Sequence, residues 1–234
     1  MRSAETIQLQ QQLRQACRLN CEPLSIGSLT IELFRPQHPD TLLDEMLAKS
    51  PDDIDVRDER LPYWAELWPS SIALATYLVC ERPLDPNLKV LELGCGLGLA
   101  GIAAGHQTPH VVMTDYQPTA LQFAELNWRH NLTTPFRGEV LDWREPRQDL
   151  AADVVLAADV AYESRALEPL VHAFRELTRP GGRILLAEPG RKVAQGFATQ
   201  LAEKLRCGHQ VFPIRVRASE PITDIEIFIH EFRW

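Results

Sequence analysis

The chain has 234 residues, 45% of them hydrophobic and 24% charged, with 24 Lys and Arg against 32 Asp and Glu for a net charge of −8. That length suits one α/β domain whose core needs neither disulfide nor metal. The acidity speaks against a broad nucleic-acid footprint, and no window approaches the ~18 apolar residues of a membrane span.

The five cysteines, Cys17, Cys21, Cys80, Cys95 and Cys207, form no C-x-x-C pair. They read as reduced intracellular thiols, and no metal site is expected. The N-terminus, M-R-S-A-E-T-I-Q-L-Q-Q-Q, lacks the apolar core of a signal peptide, so a cytoplasmic location is expected.

In chain order, residues 4–19 place Leu9, Leu13 and Ala16 at helical spacing, which predicts an amphipathic helix lying on the body. Leu29 to Phe34 alternates after Gly27 and reads as a strand or half of a hairpin before Pro36. Residues 39–59 are acidic and proline-punctuated, a surface loop or lid with a short helix at Leu42 to Lys49. Pro69 then opens a helix running to about Cys80, with Ile72, Ala75, Thr76 and Val79 on one stripe. Tyr63, Trp64 and Trp68 crowd the approach to it, a density compatible with core packing.

Lys89 to Gly101, K-V-L-E-L-G-C-G-L-G-L-A-G, carries the sharpest signal. Val90, Leu91 and Leu93 form the bare apolar run of a strand buried on both faces. Gly94, Gly96 and Gly98 follow at period two, where backbone can approach a ligand, and a helix begins at Leu99 with free N–H groups facing it. Gly96, Gly98 and Gly101 satisfy G-x-G-x-x-G, which by itself leaves a dinucleotide open. Glu92, however, would meet a pyrophosphate with the wrong sign of charge. It suits a ligand with cationic centres and no phosphate, such as S-adenosylmethionine.

His110 to Thr114 is a second buried strand ending in Asp115, 21 residues beyond Gly94, where an acid accepts hydrogen bonds from ribose hydroxyls. Pro118 starts a helix with Leu121, Ala124 and Trp128 inward, ending near Asn131. Val140 to Trp143 ends a third strand, with Asp142 placed for an adenine amine and Trp143 for stacking on the ring. Ala152 to Ala158 is the fourth strand and ends in Asp159, with Tyr162 three residues on. Leu167, Leu170, Val171, Phe174 and Leu177 mark a helix, Pro180-Gly181-Gly182 turns into a fifth strand at Arg183 to Ala187, and a helix covers Lys192 to Arg206. Gln210 to Val216 and Thr223 to Phe232 have no room for a crossover helix between them and must pair antiparallel.

The E-L-G-C-G-L-G string resembles the first motif of the seven-strand, class I methyltransferases. Y-W-A-E-L-W-P-S, V-L-D-W and A-D-V-A-Y-E look like the family-16 protein-lysine methyltransferases. The N/D-P-P-Y string of other seven-strand enzymes is lacking, which argues against nucleic-acid bases as acceptor. The resemblance implies a Rossmann-like α/β fold, doubly wound with a mostly parallel seven-stranded sheet and an antiparallel C-terminal hairpin. It covers about Leu61 to Ala187, in a domain of residues 61–234 with residues 1–60 as an extension packing on the body. It implies S-adenosyl-L-methionine as cofactor, held by Trp64, Trp68, Glu92, Gly94, Gly96, Gly98, Asp115, Tyr116, Asp142, Trp143 and Ala158, with Asp159 and Tyr162 as the catalytic pair. The expected enzyme is a monomer methylating a lysine of a protein substrate, for which a basic segment is the better match to the acidic chain, with no nucleic-acid or membrane partner. Methylation of arginine or a small-molecule amine, an NAD-dependent oxidoreductase and a silent adaptor stay open as alternatives.

Overall fold

The computed structural model describes residues 3–50, 52–57, 61–160, 167–190, 196–218 and 223–234. Its centre is a seven-stranded sheet built from β3 (Val90–Leu93), β4 (Val111–Asp115), β5 (Gly138–Val140), β6 (Ala152–Ala158), β7 (Thr178–Glu188), β8 (Gly208–Ala218) and β9 (Thr223–Arg233). The spatial order is β5-β4-β3-β6-β7-β9-β8, and only β9 runs against the rest. This ordering follows from chemistry already visible in the strands. Apolar residues stand on both sides of the pleat, so each face must be covered.

Val90, Met113, Val154, Leu156, Leu185 and Ile229 face one cluster with α4 (Pro69–Thr76), α5 (Leu99–Gly105) and α6 (Pro118–Asn131). Leu91, Leu93, Val155, Ile184 and Leu186 face the other, with α7 (Leu167–Leu177) and α8 (Phe197–Leu205). The expected doubly wound sheet with its antiparallel C-terminal hairpin is therefore present. The strand order reverses at β3, between β4 and β6, and ligands settle outside the carboxyl ends of the strands at such a switch point.

Before the sheet come α1 (Ala4–Ala16) and an antiparallel hairpin of β1 (Leu19–Ile26) and β2 (Leu29–Pro36). Leu13, Leu33 and Phe34 bury against Leu97, Phe123 and Leu126, so these elements close a third apolar cluster over α6. The α2 (Pro39–Leu47) and α3 (Ile54–Arg57) helices occupy the stretch expected as a loop or lid.

Several boundaries differ from expectation, each for a local reason. Strand β1 was not foreseen, because N-C-E-P-L-S shows no apolar alternation and its pairing with β2 is what makes it a strand. On α1 the buried residues are Thr6 and Leu13, while Ala16 faces solvent. Helix α4 stops at Thr76 and a wider π turn over Tyr77–Glu81 carries Tyr77 and Leu78 inward, so burial falls on Ala73, Leu74 and Ala75 rather than on a single stripe. Strand β5 ends at Val140, leaving Asp142 and Trp143 in the following turn. Strand β7 begins at Thr178, five residues before Arg183, through a register shift opposite Ala152 and Val154. The first residues of the helix expected from Lys192 lie outside the described residues, and α8 accounts for the rest.

Phe174, fully buried where α7 meets the sheet, should be one of the costlier side chains to truncate. Phe174→Ala is expected to lose about 3–5 kcal/mol in urea unfolding with the denaturant slope unchanged. A loss under about 1 kcal/mol contradicts that packing.

Candidate active site

The chain leaves β3 at Leu93 and passes through three glycines with φ of 68° at Gly94, 51° at Gly96 and 81° at Gly98. Gly98 shows why the residue type matters. It sits in the left-handed region, and a Cβ there would stand 3.1 Å from both the Ala124 Cβ and the Met113 Sδ. The turn is fixed from the neighbouring strand: Cys95 N–H donates to the Thr114 carbonyl (2.8 Å), Gly98 N–H to the Cys95 carbonyl (2.8 Å), and Gly96 N–H to Asp115 Oδ2 (3.0 Å). The other oxygen of Asp115 accepts from Gln117 N–H at the start of α6 (2.9 Å).

Beneath the turn, Glu92 Oε2 accepts from Gly101 N–H (3.0 Å), capping a helix whose N-cap glycine has no side chain to offer. Gly101 is required for this approach, since a Cβ would lie 2.5 Å from that oxygen. Burial pushes the Glu92 carboxyl up to about 8, opposed by the Gly101 N–H and reinforced by the charge of Asp115. Asp115 is pushed up to about 6, again by burial, against the N–H donors of Gln117, Gly96 and Tyr116. The Cys95 thiol is held well above the ordinary range by burial and by both acids, which leaves it protonated and inert.

Around this turn lies a pocket of about 760 Å³, its open mouth included. Eleven of the thirteen residues assigned from sequence line it: Trp64, Trp68, Glu92, Gly94, Gly96, Gly98, Asp115, Tyr116, Trp143, Ala158 and Asp159. Five elements bring them together, namely the turn after β3, the ends of β4 and β6 and the turn after β5, with the segment before α4 closing over them. Trp64 packs on Phe123 at 5.2 Å between ring centroids, and Trp68 donates its indole N–H to the Tyr63 carbonyl (2.8 Å). Asp142 does not line the pocket; its carboxylate is gripped by the Arg144 guanidinium at 2.6–3.0 Å on the solvent side of the turn. Tyr162 lies outside the described residues.

Asp159 follows β6 in the left-handed region (φ 57°) and donates its N–H to the Ala187 carbonyl (2.9 Å). Its Oδ2 accepts from the Ser70 hydroxyl (3.2 Å), so the start of α4 orients this carboxylate. Ser70 was not singled out in the sequence. The only signal was a small hydroxyl residue after Trp68-Pro69, and hydroxyls there usually cap their own helix. Cys95, Leu97, Leu99, Val160 and Glu66 also line the pocket without having been assigned, and their types carry no distinctive signal.

Among the described residues, the lining holds four carboxylates, Glu66, Glu92, Asp115 and Asp159, and no lysine or arginine. Such a pocket repels phosphate and favours a ligand with positive centres. Its size suits a nucleoside-bearing molecule, and Trp143 supplies an aromatic face. These features fit S-adenosylmethionine.

The raised carboxyl groups carry a pH signature. Folded and ligand-free, Glu92 keeps its proton to about 8, whereas the unfolded chain releases it near 4.5. The folded state therefore binds more protons in that window, and stability falls as pH rises through it; Asp115 adds the same sign between 3.8 and about 6. Urea unfolding of the ligand-free protein from about pH 5 to about pH 8.5 should show this decline, and Glu92→Gln should flatten it. A flat wild-type profile contradicts the assignment.

A family model described as lysine methyltransferase matches residues 52–204. The electron transfer flavoprotein beta subunit lysine methyltransferase of Danio rerio is 33% identical over 132 residues, 56% of this chain and 51% of that protein. EEF1A lysine methyltransferase 3 of Mus musculus is 32% identical over 136 residues, 56% of this chain and 58% of that one. The chain thus spans about half the length of the curated relatives it matches. Among solved structures, the N-methyltransferase NodS from Bradyrhizobium japonicum, in complex with S-adenosylhomocysteine, has a TM-score of 0.53 at 13% identity over 84% of this chain and 98% of that one. A precorrin-6y C5,15-methyltransferase from Geobacter metallireducens has 0.55 at 17% over 70% and 86%. At such identities the structural matches speak for the fold alone, a class I methyltransferase fold. The family match extends from before the aromatic segment through the glycine turn and on to α8, and with it the chain belongs to the lysine methyltransferase family.

Proposed function

We propose that the protein transfers a methyl group from S-adenosylmethionine to the side-chain amine of a lysine in a protein substrate. The observation that carries this reading is the acidic, base-free lining around a glycine turn at the switch point of the sheet. Family membership and the relatives' printed activities support it.

When bound, the cofactor supplies a methyl carbon already activated on a sulfonium. The protein's task is then to hold two partners in line, which positioning alone achieves without a strong nucleophile. Asp115 would accept from the ribose hydroxyls while its bond from the Gly96 amide keeps the turn in place. Glu92, protonated up to about 8 in the ligand-free protein, would yield that proton as the ligand's cationic centres approach, and Trp143 would offer its ring to the base. Asp159, oriented by Ser70, draws the acceptor ammonium in and aims its nitrogen. A lysine ammonium has a reference pKa of about 10.4 and must shed a proton before its lone pair is available. Trp64, Trp68 and Leu61 supply the apolar walls that desolvate it and favour that loss. Tyr162, outside the described residues, is assigned to the acceptor from the resemblance of D-V-A-Y to the family's D-x-x-Y/F motif. A basic acceptor segment suits both this lining and the net charge of −8.

Asp115→Ala removes an acceptor for two hydroxyls and should weaken S-adenosylhomocysteine binding about thirtyfold, on the order of 2 kcal/mol. Calorimetry decides it, and unchanged affinity takes Asp115 out of the site. Asp159→Asn keeps an oxygen for the Ser70 hydroxyl while losing the charge. Cofactor affinity should stay within a few-fold and transfer should fall by about a hundredfold or more. Near-normal transfer by the folded variant rules out the role. The acceptor is found by incubating the protein with labelled S-adenosylmethionine and a lysate, then mapping the labelled residue by mass spectrometry. Label on arginine or on a small amine, with none on lysine, overturns the acceptor assignment.

A further inference from the structure

Two asparagines one turn apart on α6 treat β2 as a neighbouring strand would. Asn127 Oδ1 accepts from Phe34 N–H (2.7 Å) and its Nδ2 donates to the Phe34 carbonyl (3.0 Å). Asn131 repeats the pattern on Glu32, with 2.8 Å for both bonds. The spacing explains the match. Residues i and i+4 rise about 6 Å along a helix, and residues i and i+2 of a strand stand about 6.6 Å apart, so two side-chain amides meet two successive outward-facing peptide groups of β2.

The two differ in one respect. Asn127 is fully buried, and its Nδ2 also donates to the Leu97 carbonyl (2.9 Å), inside the glycine turn that lines the pocket. Asn131 spends its second N–H on the Asn127 carbonyl of its own helix (2.8 Å). Around Asn127 the same three elements are joined by apolar contact, with Phe34, Leu97 and Phe123 in one cluster and Trp64 packed against it.

We propose that Asn127 is a positioning residue for the cofactor turn, clamping the Leu97 carbonyl to the N-terminal hairpin so that residues 19–36 help set the shape of the binding pocket. This rests on the cofactor reading above. A buried amide with both N–H groups and its oxygen engaged has no slack, and losing one partner leaves a buried polar group unmet. Because coupling between two sites is reciprocal, occupancy of the pocket must also steady the hairpin.

The experiment compares Asn127→Asp and the milder Asn127→Ser with Asn131→Asp and Asn131→Ser. Asn127→Asp keeps the acceptor for Phe34 N–H and loses both donors. In the folded variants, S-adenosylhomocysteine affinity by calorimetry should drop about tenfold for changes at Asn127 and stay within about threefold for changes at Asn131. A purely structural role predicts a larger loss of melting temperature at the fully buried Asn127 than at Asn131 but no such difference in affinity, and equal affinities overturn the proposal. Should both Asn127 variants fail to fold, amide exchange in the wild-type protein decides: saturating S-adenosylhomocysteine should slow exchange of the Phe34 N–H, and an unchanged rate overturns the coupling. If the wild-type protein binds no S-adenosylhomocysteine, the cofactor reading fails by itself. The clamp is then read without ligand, as faster exchange of the Gly98 N–H in Asn127→Ser than in wild type or Asn131→Ser; equal rates overturn it.

Discussion

The burial of two carboxylates under one turn of backbone is the constraint on which the rest of this structure depends. Glu92 and Asp115 stand on adjacent parallel strands; Asp115 accepts from the Gly96 amide in the segment that links β3 to α5, and Glu92 from the Gly101 amide in the first turn of α5. Removing them from water raises both their proton affinities, and the charge of Asp115 adds to the cost of ionising Glu92. Hydrogen bonds from backbone amides offset part of that cost and at the same time fix the loop. The result is a turn held open in one shape and a pocket with unmet negative character, a state that a ligand with positive centres relieves.

One wall of the pocket comes from a part of the chain with no stake in the sheet. The aromatic segment before α4 lies across the glycine turn, close enough that a Cβ on Gly96 would stand 3.2 Å from the Trp64 carbonyl oxygen. Its continuation, α4, supplies the Ser70 hydroxyl that meets Asp159, so one short stretch of chain touches both the glycine turn and the Asp159 carboxylate. The glycine turn and Asp159 therefore share a support, and rigidity there serves the in-line alignment that the proposed reaction requires.

The N-terminal elements extend the same logic. Helix α6 starts at the residue pair that Asp115 anchors and ends beside the hairpin. It carries structural information between the two through Asn127 and through the apolar contacts of Phe123 and Leu126. An amide in mid-helix ordinarily weakens a helix by competing for backbone. Here its bonds run outward to two other elements, which is what repays its position.

The amino-acid sequence by itself determined the alternation of apolar strands and amphipathic helices from Val90 onward, the glycine turn, and the acids at the ends of β3, β4 and β6. These are local signals, since strand burial, positive φ and helix periodicity each write themselves into neighbouring residues. It also led to the nine pocket residues at strand ends and the turns after them, because strand ends in a parallel sheet converge on one edge whatever the details of packing, whereas Trp64 and Trp68 came only from the family resemblance. Strand β1, the π turn after α4 and the solvent-side placement of Asp142 were decided only by tertiary structure. So were the contacts of Ser70 with Asp159 and of Asn127 with Leu97. In each of these the deciding partner lies far along the chain, 89 residues for Ser70 and 30 for Asn127, and a lone serine or asparagine looks the same in sequence whether it faces water or a buried carbonyl.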